Sequence, residues 1–549
     1  MTIIESTKMQ DGDNNHRGRD KAWVQRWQPS RERRGRKGVG TSIVKKREEG
    51  ARALLEAHCL EIGDVLPGII NILIHGQLNG AQIDYVPPPV TSLRVRQPAH
   101  KVSSEYIAKY NKATEIMRNL PPSDPRNFMQ QANIHALYCD GPDGDKDGLG
   151  KYIQFLVHNS WLFFPFHRWY VYFYEKILGN LIGDPNFALP FWNWDHPDGM
   201  QIPDMYTDES SALYDLNRST AHQPPTTVDL DYHNGKAPKP REEQVDDNLY
   251  GVMYKNMVSG AKLPLLFFGS PYREGSTTTP GSIEKHPHNC VHIWTGHEIT
   301  PQTPLGEDMG AFYSAGRDPI FFAHHANVDR MWNIWKTLDG PKRKDITKPD
   351  FLDFSFVFYD EHAQLVRVKI RDCLNTEVLG YVYEKVELPW LKERGMPHTR
   401  LAVPRNPNVR KVELTDFPIT LKGSAVTIVV PRPAKKARSK EEKEEEEEVL
   451  VVEDISFDGI LRVKFDVYVN DEYAPGPANA EFAGCFANVP HKHKHGGDHH
   501  HIHKVSLNLG ITDLLDEIGA DNDDSVFVTF VPNNSYPVTI GGIKLELLS

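Results

Sequence analysis

Apolar residues recur at intervals of three and four in three stretches between residues 105 and 340. They are SEYIAKYNKATEIMRNL (104–120), the aromatic-rich HRWYVYFYEKILGNLIG (167–183) and HHANVDRMWNIWKTL (324–338), and each predicts a helix. The stretches between them are rich in Gly, Pro, Asp and Asn, so a helical core wrapped by long loops is expected. From about residue 350 the period shortens. FVFYDE (356–361), QLVRVKIRD (364–372) and LGYVYEKVEL (379–388) read as strands, and ILRVKFDVYVN (460–470) and SVFVTFVP (525–532) read as strands of a separate β-sandwich. Between these β-rich parts, PRPAKKARSKEEKEEEEE (431–448) has almost nothing apolar to bury and reads as a charged linker.

The predicted layout follows: an N-terminal extension over 1–80, a helical domain over 81–345, a β-rich extension over 346–431, a linker over 432–449, and a sandwich over 450–549. Within 1–80, the basic run 17–47 fits either an anion-binding arm or a solvated tail. The apolar run LEIGDVLPGIINILIHG (60–76) is too short to span a bilayer and is broken by Pro67 and Gly68. The first fifty residues lack a signal-peptide pattern and fit a transit peptide poorly.

Composition adds exclusions. Of 549 residues, 39% are hydrophobic and 25% charged, which suits a globular chain, and no apolar run reaches membrane-spanning length. A net charge of -11 gives no general attraction to nucleic acid. Cys59, Cys139, Cys290, Cys373 and Cys485 are scattered with no CxxC pair, which argues against a disulfide framework or a zinc ribbon.

Histidine, with 25 copies, carries the candidate chemistry. His158 and His167 flank NSWLFFPF, and Pro165 favours a helix start beside His167. His288 and His292 are four apart, which on a helix turns both imidazoles to one face. His325 is followed four residues later by Asp329, a carboxylate able to hydrogen-bond an imidazole and fix its ligating tautomer. Neutral nitrogen donors without a thiolate pair suit copper, zinc or nickel and disfavour magnesium or calcium.

Two longer signatures narrow the choice. His158-x4-Phe163-Phe164-Pro165-Phe166-His167-Arg168-x2-Val171-x3-Glu175 and Asp318-Pro319-x-Phe321-x3-His325-x3-Asp329 resemble those of the tyrosinase, catechol oxidase and haemocyanin superfamily. The likeness to plant polyphenol oxidases runs from residue 94 to the C-terminus, through FMQQANIHALYCDG, FALPFWNWD, GAFYSAGRDP and VKFDVYVN. The resemblance implies a mainly α catalytic domain, an antiparallel four-helix bundle holding a dicopper site, followed by a C-terminal β-sandwich that shields it. It implies two copper ions, with His135, His158 and His167 on the first and His288, His292 and His325 on the second, and dioxygen as co-substrate. His324 adjoins a ligand without being one. Cys139 takes the position of a cysteine joined by a thioether to His158, Phe312 that of a gate over the second copper, and Glu284 and Asn289 those of a pair that deprotonates a bound phenol.

The implied reaction is oxidation of o-diphenols to o-quinones with hydroxylation of monophenols, latent until a protease cuts the linker. A haemocyanin-like oxygen carrier and a pathway-specific hydroxylase or aurone-forming oxidase are the alternatives. Small phenols and an activating protease are the expected partners; the oligomeric state is left open. Ala136 stands where the family carries a cysteine, and DYVPPP (84–89) where it carries Cys-Cys-Pro-Pro, so its two disulfides are absent. A plastid (thylakoid lumen) address by resemblance therefore stands beside a cytosolic or vacuolar one. The run HKHKHGGDHHHIHK (491–504) fits either metal capture or a charged hairpin.

Overall fold

The computed structural model describes residues 83–140 and 157–549, except 234, 274–275, 301–302, 304, 393–405, 407–408, 434–437, 475, 492–501 and 535. The expectations for residues 1–80 lie outside the described residues. No described helix is long and apolar enough to cross a membrane.

The helical domain is built on α1 (Ser104–Arg118), α2 (Phe128–Asp140), α3 (Phe163–Leu181), α4 (Asn289–Thr295) and α5 (Ile320–Trp335). Ser103 starts α1 by accepting a hydrogen bond from the Tyr106 amide. In α3, Pro165 sits in the first turn, where no intrahelical N–H is needed. Nearly every residue of α3 is buried, Phe163 to Glu175 without interruption. A helix apolar on all sides can persist only inside the protein. The predicted helices at 104–120, 167–183 and 324–338 correspond to α1, α3 and α5. The pattern did not reveal α2, whose apolar positions are interrupted by Gln130, Gln131 and Asn133.

Short sheets brace this core. β1 (Ile83–Asp84) pairs in parallel with β4 (Leu365–Lys369), which pairs antiparallel with β3 (Ser355–Tyr359); β2 (Arg94–Arg96) pairs in parallel with β5 (Tyr381–Tyr383). Between them lies a buried charge network. Glu175 accepts from Arg94 at 2.9 Å and from Arg96 at 2.8 Å, and Asp329 accepts from Arg168 at 2.5 Å and from the Tyr381 and Tyr383 hydroxyls at 2.6 Å each. The flanking guanidinium groups hold both carboxyls below their ordinary range despite burial. Asp329 thus differs from its expected role: among the described residues it hydrogen-bonds no imidazole and instead locks α5 to α3 and to the β2/β5 ribbon, because a buried carboxylate is retained only among such partners.

The C-terminal domain is a sandwich of two sheets. One runs β11 (Phe482–Ala487), β10 (Lys464–Val469), β13 (Ser525–Pro532), β8 (Val426–Pro431), β6 (Arg410–Val412). The other runs β12 (Ile502–Gly510), β9 (Glu447–Asp458), β14 (Val538–Ile540), β7 (Ile419–Leu421), with β15 (Gly542–Leu548) also on β9. Their inner faces share a core that includes Leu421, Val452, Phe465, Val467, Leu507, Val528, Phe530 and Ile540.

Two boundaries move. β6, β7 and β8, assigned from the sequence to the middle extension, pair with β13 and β14 and belong to the sandwich. Most of the predicted linker is structured as well. Ser439 caps a helix over Lys440–Glu445, and Glu447 and Glu448 are buried at the start of β9. Glu448 is held there by Arg432, whose guanidinium donates to both carboxylate oxygens at 2.8 and 2.9 Å.

Candidate metal centre

Six imidazoles converge between the helices. His135 comes from α2, His167 from the first turn and a half of α3, His292 from α4, His325 from α5, His288 from the residue preceding α4, and His158 from the loop before α3. The rings of His135, His158 and His167 lie 5.3 to 5.6 Å apart by centroid. Those of His288, His292 and His325 lie 4.5 to 5.5 Å apart. The groups face each other, His167 stacking on His325 at 4.1 Å.

Backbone carbonyls set the tautomers. The Nδ1 of His135, His167 and His292 bonds the carbonyls of Phe312 (2.8 Å), Phe163 (2.8 Å) and Met309 (2.9 Å). His288 Nδ1 bonds Asn289 Oδ1 at 2.9 Å and the Glu284 carbonyl at 3.2 Å. A carbonyl only accepts, so each of these rings carries its proton on Nδ1 and turns an Nε2 lone pair inward. The Nε2 atoms of His135, His158, His167 and His288 have no protein partner. Burial depresses all six basicities, His167 to about 3 and His292 to about 4, so the rings are neutral near pH 7. The Nε2 atoms of His292 and His325 face each other at 3.3 Å, and six buried, neutral imidazoles in two groups of three fit two borderline transition-metal ions.

A seventh ring, His324, lies within the second cluster. The Trp194 indole N–H, which only donates, is 3.1 Å from His324 Nδ1. The neutral ring must then carry its proton on Nε2, which removes that lone pair from coordination. Cys139 and the first three imidazoles offer ligand atoms within 4.8 Å of one another.

Phe312 stacks face to face on His158 at 3.9 Å and lies 5.8 to 6.3 Å from His135, His288 and His292, so its ring touches both groups and packs most closely on the first. Glu284 Oε1 accepts from the Asn159 amide at 2.5 Å while its buried Oε2 has no protein partner, and burial raises the carboxyl well above its ordinary range.

The C-terminal domain reaches this site through Ala487 and Pro490, which no local pattern marked, and through His491, the first residue of the histidine-rich run. The Phe312 amide donates to the Pro490 carbonyl at 3.0 Å, and the His491 ring lies edge-on to Phe312 at 5.0 Å. Asn289 donates its amide to the Ala487 carbonyl at 2.8 Å. Within the histidine-rich run only His491 and 502–504 are described, and His491 stacks on His503 at 4.9 Å.

Known proteins resemble this chain over most of its length. Residues 125–338 match the common central domain of tyrosinase, 345–396 the polyphenol oxidase middle domain, and 417–547 the C-terminal domain of chloroplastic polyphenol oxidase. A chloroplastic polyphenol oxidase of Malus domestica is 53% identical over 485 residues, covering 85% of this chain and 79% of that protein. Aureusidin synthase of Antirrhinum majus is 50% identical over 504 residues, covering 88% and 86%. Latent apple tyrosinase superposes with a TM-score of 0.79 at 53% identity, covering 85% of this chain and all of that one. Latent aurone synthase superposes at 0.77 with 41% identity, covering 86% and 92%. The chain belongs to the tyrosinase-type plant polyphenol oxidases, copper-dependent oxidoreductases with a binuclear metal centre.

Proposed function

We propose that this enzyme oxidises o-diphenols to o-quinones, two diphenols yielding four hydrogens to reduce one dioxygen to two waters, and that it also hydroxylates monophenols. The observation that carries this reading is the pair of facing three-imidazole groups with Nε2 turned inward. His135, His158 and His167 would hold one copper and His288, His292 and His325 the other; when bound, the metals supply electron transfer to dioxygen.

The chain's own groups position the phenol and move its proton. Phe312 offers a flat apolar surface against which an aromatic ring can lie. Glu284, whose buried Oε2 meets no protein partner, would take a phenolic proton through a water once the charge of the bound metals favours its ionised form. Asn289 Oδ1 orients the His288 ring and stands beside this path. A thioether between Cys139 and His158 would fix the one imidazole of the six whose two nitrogens both lack a protein partner.

The C-terminal domain is proposed to keep the enzyme latent, because Pro490 and His491 cover Phe312 and Ala487 occupies the amide of Asn289. Activation would then need a protease or another agent that displaces the domain. Several relatives are named chloroplastic, which supports a plastid address for this chain as well. A second reading, a hydroxylase or aurone-forming oxidase dedicated to one pathway, is supported by comparable identity to aureusidin synthase and, at 48%, to (+)-larreatricin hydroxylase of Larrea tridentata.

The test is oxygen uptake by the copper-loaded full chain with tyramine, its catechol counterpart and bulkier phenols, before and after removal of the C-terminal domain. Rapid turnover of the simple phenols after removal is expected. Turnover confined to one bulky phenol would favour the second reading, and none with any phenol would overturn both.

A further inference from the structure

Behind the metal centre, on the opposite side of α4 from the inward-facing imidazoles, the catalytic and C-terminal domains meet in a second polar cluster. Cys290 lies on α4 and Cys485 on β11, and both thiols are fully buried. Together with His286 they offer ligand atoms within 4.8 Å of one another, so the Cys290 and Cys485 sulfurs are no more than 4.8 Å apart. Around them, Lys464 bridges Asp231 at 2.8 Å and Asp466, and His286 Nε2 faces Asp231 at 3.3 Å.

A third metal would have to compete with these partners. The Asn256 amide lies 3.2 Å from His286 Nδ1, which makes that nitrogen an acceptor and leaves the proton on Nε2, directed at Asp231. Both carboxylates are already matched to the Lys464 ammonium. The acids are thus held by Lys464, His286 Nε2 faces Asp231 without a well-formed hydrogen bond, and the two sulfurs lie within reach of one another.

We propose that Cys290 and Cys485 form a disulfide that ties the C-terminal domain to the catalytic domain. The two thiols lose two protons and two electrons. A small-molecule disulfide such as oxidised glutathione accepts them: one cysteine forms a mixed disulfide and releases one glutathione thiol, and the other cysteine then displaces the second. Neither sulfur is reachable by solvent in the docked state, so the first exchange occurs while the domains are apart and the bond closes as they dock. With the chain cut ahead of β6, so that the whole sandwich is severed, the reduced pair lets the C-terminal domain leave, whereas the oxidised pair retains it. This consequence for latency rests on the function proposed above; the bond itself does not.

The test uses the copper-loaded full chain equilibrated in glutathione buffers of graded redox ratio, quenched with acid, alkylated under denaturing conditions and digested. A linked Cys290–Cys485 peptide should grow with the oxidised fraction, persist in Cys373→Ser and vanish in Cys485→Ser. Recovery of both residues as alkylated thiols at every ratio would overturn the proposal, and needs no variant to fold. In the oxidised protein cut ahead of β6, the C-terminal fragment should stay attached on a denaturing gel until a reductant is added. If the linked peptide forms but activity after cleavage does not depend on reductant, the bond stands and its link to latency fails.

Discussion

At the level of single residues, the site is set by groups that fix imidazoles and groups that fix helices, and these separate by experiment. Asp329 is of the second kind. Asp329→Asn keeps the shape but leaves Arg168 and Arg96 buried with a weakened partner, and breaking a buried pair in this way costs about 3–5 kcal/mol. A lowered Tm is expected, with two copper ions still bound by the protein that remains folded. His325→Ala should do the reverse, with little change in Tm of the metal-free protein and copper content reduced to about one per chain. Asn289 acts on the reaction. Asn289→Gly removes the Oδ1 that orients His288 Nδ1, so monophenol turnover of the activated enzyme should fall while catechol turnover is largely kept; an unchanged ratio of the two rates would refute the role given to Asn289.

Among the elements, what was legible in the sequence had a strong local period. The aromatic-rich, buried helix around His167, the helix carrying His325 and the strands at 464–469 and 525–532 were visible because each buries residues its own pattern defines. The six imidazoles were legible through the signatures that place them, while spacing alone gave only a metal-competent cluster. The acidic run misled for a physical reason. Its six-residue helix is held by a Ser439 cap, and after Glu446 the glutamates Glu447 and Glu448 enter β9 because Arg432, beyond the reach of any local pattern, meets Glu448. The same non-local pairing drew β6 to β8 out of the middle extension. A protease cut within Lys440–Glu445 consequently falls inside the sandwich, with strands of one sheet on both sides of the nick. The two fragments should co-elute by size exclusion without denaturant and basal activity should stay low; separation of the fragments would show that the shared sheets do not hold them.

For the molecule as a whole, the latency proposed above becomes a docking equilibrium between two domains whose contact is visible residue by residue. Its anchor is Arg462, which leaves the sandwich and donates through Nη2 to the carbonyls of His297, Leu305, Gly306 and Gly310 at 2.9 to 3.2 Å. The pocket exists because two of those residues are glycines: a Cβ on Gly306 would lie 1.6 Å, and one on Gly310 2.2 Å, from that nitrogen. Hydrogen bonds to a charged donor each contribute about 1.5–3 kcal/mol, and four that share one nitrogen act as a single contact rather than adding. Arg462→Ala should therefore weaken docking by about 3 kcal/mol and raise the undocked fraction roughly 100-fold. Uncleaved Arg462→Ala should then oxidise catechol far faster than the parent, with copper content unchanged and a normal Tm for the catalytic domain. Arg410→Ala, at an exposed position on β6 of the same domain, is the control and should stay latent. Equal latency in the two variants would move control of the active site away from Arg462 and onto the contacts that Ala487 and Pro490 make with Asn289 and Phe312.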